Sequence, residues 1–300
     1  MPIIKPPKLE TGDRVGIISP AGPVDESDLQ AGLTILESSG LGVCLAPHIY
    51  HMEGYLAGND EARLDDLHGM LQDREIKAIF CARGGYGSLR LLDRINYDLI
   101  IQNQKILVGY SDITALLMAV QVKTGLVTFH GPMVRELDRD HQSNWGNLLR
   151  LISSDKPEEL DISKCTVLVP GKAEGPLIGG NLSLICHLLG TPFMPSLDGC
   201  ILFLEDRGEA PYRLDRMLTH LVLTGKLKKI SGIIAGQFEG CGMTGDINRL
   251  FLDATSKLAI PLVSGFPLGH GRQNLALPLG PTANFDTELM TLTIKEACVR

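Results

Sequence analysis

Short apolar runs alternate with stretches whose apolar residues recur at helical spacing through the first half of the chain. Residues 14–18 read as a buried strand, closed by the turn residues Pro20, Gly22 and Pro23. Asp25 can cap a helix carrying Leu29, Leu33 and Leu36 on one face, and Gly40 stops it. A strand follows at 43–46, then a helix opened by Asn59 or Asp60 with Leu64, Leu67 and Leu71 aligned. The alternation continues with strands at 78–81, 105–110 and 126–129 and helices at 88–95 and 112–123. This rhythm predicts a parallel sheet covered on both faces, with ligands beyond the carboxyl ends of its strands.

Past residue 138 the pattern changes. A polar region holds one helix-like stretch at 145–152. Strands are then expected at 166–169, 200–205, 230–235, 262–264, 274–278 and 289–294, with helices at 182–189, 212–223 and 247–258. The division expected is an N-terminal domain over 1–140, a linker over 141–175 and a C-terminal domain over 176–300. The uncharged stretch 175–197 is long enough to span a bilayer. Pro176, Pro192, Pro195, the Gly179-Gly180 pair and Asn181 interrupt it, which predicts packed core and loop.

The 300 residues suffice for two domains at about 150 residues each, and for a core that needs no staple. Twenty-eight basic against 35 acidic residues leave a net charge of −7, which argues against nucleic acid and against anionic membrane as partners. Seven scattered cysteines without a C-x-x-C pair suggest buried thiols. The N-terminus lacks an apolar signal segment, so the expected location is cytoplasmic.

Candidate chemistry is concentrated in loops after strands. In Gly109-Tyr110-Ser111-Asp112 an apolar strand runs into a serine and a helix begins at once. That is the arrangement of a nucleophile elbow, although Ile113 stands where G-x-S-x-G has glycine. On this motif alone, a helix-capping serine is the commoner role. Arg83-Gly84-Gly85-Tyr86-Gly87-Ser88 follows another strand, and its glycines could bring backbone N–H groups to a phosphate or a developing oxyanion, or simply form a tight turn. A serine needs a base, and His270, between two glycines, and His130, at a strand end, are the two candidates. His187 and His220 fall on predicted helices, as packed or surface residues. His48 and His51 lack a carboxylate signature for a metal, and no metal or cofactor is expected. The apolar strand ending in Glu205-Asp206 offers an orienting carboxylate, and Ser…Glu…His is an order that triads use.

Taken together these segments resemble the LD-carboxypeptidase family, the S66 serine peptidases, which includes muramoyltetrapeptide carboxypeptidase. The resemblance covers Ala82-Arg83-Gly84-Gly85-Tyr86-Gly87, Arg90-Leu91-Leu92, Gly109-Tyr110-Ser111-Asp112 and Thr128-Phe129-His130-Gly131-Pro132-Met133. It continues in Gly179-Gly180-Asn181-Leu182, Leu189-Gly190-Thr191-Pro192, Leu204-Glu205-Asp206, Arg216-Met217-Leu218, Gly269-His270 and Leu277-Pro278-Leu279-Gly280. It implies a flavodoxin-like or Rossmann-like parallel-sheet domain carrying the nucleophile, and a β-rich, barrel-like α/β domain carrying Glu and His. It further implies Ser111 as nucleophile, His270 as general base and acid, Glu205 as its orienting group, and oxyanion donors on the backbone at Gly84, Gly85 and Asp112. The implied substrate is a murein tetrapeptide or related muropeptide, cut to release terminal D-alanine in peptidoglycan recycling, by an enzyme that family habit would make a homodimer. Two alternatives stand beside this. One is the microcin-immunity branch of the family, which acts on acyl-sulfamoyl adenylates and carries Asn-Gly-Gly where this chain has Arg83-Gly84-Gly85. The other is a non-catalytic two-domain ligand binder. Arg83, Asn181 and Glu209 are candidates by position for contacts to the substrate.

Overall fold

Two sheets built from fourteen strands organise the chain, in a computed structural model that describes residues 2–138 and 141–300. The first region runs β1 (Arg14–Ile18), α1 (Glu26–Ser38), β2 (Gly42–Leu45), α2 (Asp60–Gln72), β3 (Ile76–Cys81), α3 (Tyr97–Gln102), β4 (Ile106–Gly109), α4 (Thr114–Thr124) and β5 (Thr128–His130). β1, β3 and β4 are apolar runs buried almost throughout, whereas β2, at the sheet edge, is half-buried. The helices start where expected: Asn59 accepts from the Ala62 N–H, and the Asp28 carboxylate accepts from the Asp25 N–H in a capping box. One helix differs. The expected 88–95 segment is a single 3₁₀ turn, Ser88–Leu91. The next helix, α3, is started by Asn96, whose side chain accepts from the Leu99 N–H.

The chain continues through α5 (His141–Ser153), β6 (Glu158–Asp161), β7 (Thr166–Val169), β8 (Lys172–Asn181), α6 (Leu182–Leu188), β9 (Ile201–Arg207), α7 (Pro211–Leu223), β10 (Gly232–Glu239), α8 (Thr244–Thr255), β11 (Leu262–Ser264), β12 (Leu277–Leu279), β13 (Thr282–Asp286) and β14 (Thr291–Ile294). The span 141–175 thus carries α5, two strands and the start of a third. The stretch 175–197 becomes the end of β8, then α6 and a loop; among the described residues no helix is long and apolar enough to cross a membrane.

The first sheet has the order β12-β5-β4-β3-β1-β2, in which β2-β1-β3-β4-β5 are parallel and β12 adds antiparallel to β5. Parallel order 2-1-3-4-5 is the flavodoxin-like arrangement, and its switch point lies between β1 and β3. The second, curled sheet has the order β6-β14-β13-β8-β9-β10-β11-β7. Its centre, β8 to β11, is parallel, and the strands on both flanks are antiparallel. The fold is therefore α/β, with a parallel-sheet half followed by a strand-rich half.

Candidate active site

Ser111 follows β4 and adopts φ +62°, a left-handed conformation that a side-chain-bearing residue takes at a cost. The turn is closed by the Ile113 N–H donating to the Tyr110 carbonyl at 3.2 Å, and α4 starts directly after. Ile113 fits because of the glycine at 109: a Cβ there would stand 2.7 Å from the Ile113 methyl. The Ser111 hydroxyl is bonded to His270 and caps no helix.

His270 lies in the loop between β11 and β12, within reach of both Ser111 and Glu205. Its Nε2 is 3.0 Å from Ser111 Oγ and its Nδ1 is 2.6 Å from Glu205 Oε2. Glu205, near the end of β9, is fully buried. Gly269 has φ +110°, and a Cβ there would meet Glu205 Oε2 at 2.6 Å, so the loop can approach the carboxylate only with glycine at this place. Asn181, at the end of β8, donates to Glu205 Oε1 at 3.2 Å and to Asp206 Oδ1 at 3.0 Å. Asp206 turns to the start of α6, accepting from the Ser183 N–H and hydroxyl.

The loop bearing His270 is pinned from the other half of the chain. Asn144 on α5 accepts from the Asn274 N–H at 2.7 Å, and Asn147 accepts from the Ala276 N–H at 2.6 Å. Asn274 in turn accepts from the Gly269 N–H at 2.9 Å. Those bonds explain why the strand expected over 274–278 shortens to Leu277–Leu279: its first backbone donors go to side chains.

Burial alone would push the His270 imidazole down; the bond to Glu205 and the charges of Glu205 and Glu136 outweigh it and hold its pKa above the ordinary value. The Tyr110 ring lies 4.9 Å from that of His270, and its hydroxyl donates to Glu136 Oε2 at 2.5 Å. His130, the other candidate base, is buried between Tyr110 and Phe203 and pushed down to about 3, first by burial and then by His270, so it stays neutral. His48 pairs with Asp66 at 2.8 Å, and among the described residues no three ligand-type side chains are grouped to hold a metal.

The glycine loop after β3 closes the site. A Cβ on Gly84 would stand 3.0 Å from Ser111 Cβ, 3.1 Å from its Oγ and 3.5 Å from the Asp112 nitrogen, so Gly84, Ser111 and the Asp112 amide border one small space. Gly85, at φ +115°, packs on Gly22 of the loop after β1, at the sheet's switch point. The Asp112 carboxylate accepts from the Ser88 N–H at 2.8 Å, and the Ser88 hydroxyl donates to the Asp112 carbonyl at 2.6 Å. A cavity of about 420 Å³ opens here, lined by Ser111, His270, Gly84 and Gly85 with Arg83, Arg135, Glu136 and Arg207. Another of about 490 Å³ between α7 and α8 contains none of these residues. Glu209 instead pairs with Arg213. Arg135 and Glu136 carried no motif in the sequence; only the turn after β5 brings them to the serine.

A doubly wound α/β half with a serine at its strand-to-helix turn, joined to a strand-rich half that brings a histidine and a buried glutamate, is an architecture of two-domain peptidases. The LD-carboxypeptidase N-terminal domain matches residues 15–131 and the LD-carboxypeptidase C-terminal domain matches residues 174–285; the chain belongs to the LD-carboxypeptidase family, peptidase family S66. A Bacillus subtilis protein named "Probable murein peptide carboxypeptidase" is 42% identical over 302 residues, covering 97% of this chain and 94% of the relative. The crystal structure of muramoyltetrapeptide carboxypeptidase from Oxalobacter formigenes is 31% identical with a TM-score of 0.83, covering 94% of this chain and 99% of that one. The structure of MccF in complex with glutamyl sulfamoyl guanosine is 25% identical with a TM-score of 0.93, covering 99% of both chains.

Proposed function

We propose that this peptidase is a serine-type LD-carboxypeptidase that releases terminal D-alanine from a murein tetrapeptide. The observation that carries the reading is the relay from Glu205 through His270 to Ser111, at 2.6 and 3.0 Å, ending on a serine held in a left-handed turn. Ser111 Oγ attacks the carbonyl carbon of the amide between the L-centre of diaminopimelate and D-alanine, and His270 Nε2 takes the hydroxyl proton. The carbonyl oxygen becomes an oxyanion beside the Gly84 turn and the Asp112 amide. As the C–N bond breaks, His270 returns that proton to the leaving nitrogen. Water, deprotonated by His270, then splits the acyl-enzyme ester, restoring the Ser111 hydroxyl and freeing the tripeptide for cell-wall recycling in the cytoplasm. Glu205 holds the imidazole with Nδ1 protonated and stabilises its charged form. The protein acts on a small peptide and needs neither metal nor nucleic acid in this scheme.

The test is incubation with synthetic tetrapeptides ending in D- or L-alanine, with and without a chelator. D-alanine release unaffected by chelator is expected, with at least about 10³-fold less release from the L-diastereomer, whose carboxylate loses its partner. Ser111→Ala, folded as the parent, should lose about 10⁴-fold or more in kcat. Retained turnover in that variant, or equal rates on both diastereomers, sinks the reading. The likeness to MccF supports a second substrate class, acyl-sulfamoyl nucleotides, cut by the same three residues. Glutamyl sulfamoyl adenosine offered in competition with the tetrapeptide separates the two by relative kcat/KM, with the tetrapeptide expected to be preferred.

A further inference from the structure

The cavity beside Ser111 is cationic although the whole chain carries −7: Arg83, Arg135 and Arg207 line it with one carboxylate, Glu136. Such a cleft concentrates anionic ligands. Two of the guanidiniums are already committed. Arg83 donates to the Pro23 carbonyl at 3.1 Å and lies against Gly22, where a Cβ would stand 3.4 Å from its Nε, so it ties the loop after β1 to the loop after β3. Arg135 pairs with Asp28 at 3.0 Å. Arg207 has no carboxylate partner among the described residues.

Arg207 is also the best placed relative to the relay. It ends β9, two residues beyond Glu205. Side chains two apart on a strand share a face, so Arg207 extends on the side of Glu205 and His270 while Asp206 points away toward Ser183. Its charge acts on the His270 imidazole, opposing protonation. The proton carried by His270 goes to the leaving nitrogen, which places the leaving residue on this side of Ser111. In an α-amino acid the carboxylate carbon is two bonds from that nitrogen.

We infer that Arg207 binds the free carboxylate of the leaving residue and so restricts the site to chain ends. The inference rests on the LD-carboxypeptidase reading and names the group that makes the enzyme an exopeptidase. A guanidinium suits the task because its two parallel N–H donors match a carboxylate in the bidentate mode. Arg207 is exposed in the free protein, and a peptide bound in the cavity would cover the pair, so that losing one partner becomes costly.

The test uses the tetrapeptide ending in D-alanine and the same peptide ending in D-alaninamide, with wild type, Arg207→Met, Arg207→Lys and Arg83→Met. Wild type should favour the acid over the amide by about 30-fold or more in kcat/KM, most of it in KM. Arg207→Met should bring that ratio close to one and Arg207→Lys should restore part of it, whereas Arg83→Met should leave the ratio standing. A ratio that survives in Arg207→Met, or collapses only in Arg83→Met, overturns the assignment. Calorimetric binding of both peptides to Ser111→Ala, with and without Arg207→Met, keeps the two readings apart. If wild type hydrolyses neither peptide but Ser111→Ala binds the acid more tightly through Arg207, the carboxylate site stands and the peptidase reading falls. Equal or absent binding overturns the carboxylate site.

Discussion

Ser111 shows how much chemistry a single backbone angle can carry. Its φ of +62° costs on the order of 1–3 kcal/mol, and the surrounding turn repays it by lifting the hydroxyl clear of the sheet to His270. In the proposed mechanism Gly84 leaves vacant the space that the substrate oxygen would take. Gly84→Ala sets a methyl 3.1 Å from Ser111 Oγ, so kcat/KM should fall by about 10²-fold or more, the size of losing an oxyanion contact, while the denaturation midpoint barely moves. Steady-state kinetics beside urea melts check both halves of that statement. The pH profile belongs to His270. In its proposed role as base it must be neutral, and because its pKa is held above the ordinary value of about 6.5, activity should fall as pH drops through a limb lying above 6.5. Glu205→Gln removes the main raising influence, so the residual activity of that variant should show the limb moved toward lower pH. A limb that stays in place would take Glu205 out of the relay. The pKa of His130 is shifted the other way, and it acts on stability. Its folded pKa of about 3 lies below the unfolded value, so the stability it contributes is present above about 6.5 and is lost progressively as pH falls toward 3.

At the scale of elements, α5 determines where the His270 loop can sit. Asn144 and Asn147 are both nearly inaccessible to solvent and supply the acceptors for the Asn274 and Ala276 N–H groups. Asn147→Ala leaves a buried donor unpaired and should cost about 1–3 kcal/mol in chemical denaturation. It should also lower kcat more than it changes KM, since the imidazole shifts relative to Ser111. The elements themselves differ in how readable they were. The apolar strands of the first sheet stand out in the sequence because burial on both faces demands continuous apolar runs. β8 is hidden, because Gly175, Pro176, Gly179 and Gly180 read as loop. Those glycines are demanded by packing: a Cβ on Gly179 would fall 1.9 Å from the Phe203 carbonyl oxygen of β9. β13 and β6 were hidden too, being half-polar flanking strands without a long apolar run.

The two sheets are interlocked at the scale of the whole molecule. β12 leaves the strand-rich half to pair with β5, Leu277 opposite His130, and so covers an edge of the first sheet. The chain ends meet as well, with the Lys8 N–H bonded to the Arg300 carbonyl and the Arg300 N–H to the Pro6 carbonyl. One continuous buried core runs through both halves. Unfolding should therefore be a single transition. Trp145, on α5 and packed on Phe80 of the first sheet, reports one half by fluorescence; far-ultraviolet circular dichroism reports both. The two urea curves should coincide. Two separated midpoints would show halves that unfold independently.

The sequence by itself determined the apolar strands of the first sheet and most of the helices around them, since alternation and spacing follow directly from the need to cover apolar surface. It also marked the strand-end loops, where Ser111, the Gly84-Gly85 turn, Glu205 and His270 stand, and the order of motifs that places the chain in its family. Local patterning left both His270 and His130 open and the resemblance pointed to His270; the tertiary structure sets His270, and not His130, beside Ser111. The two histidines lie 159 and 19 positions from the serine, and the distant one is at hydrogen-bond distance while the near one is packed among aromatic rings. The same holds for the gathering of Arg83, Arg135, Glu136 and Arg207 around one cavity. Local patterning reflects each segment's exposure to water, whereas the proximity of loops from two sheets is a property of how those sheets pack, and no single segment carries it.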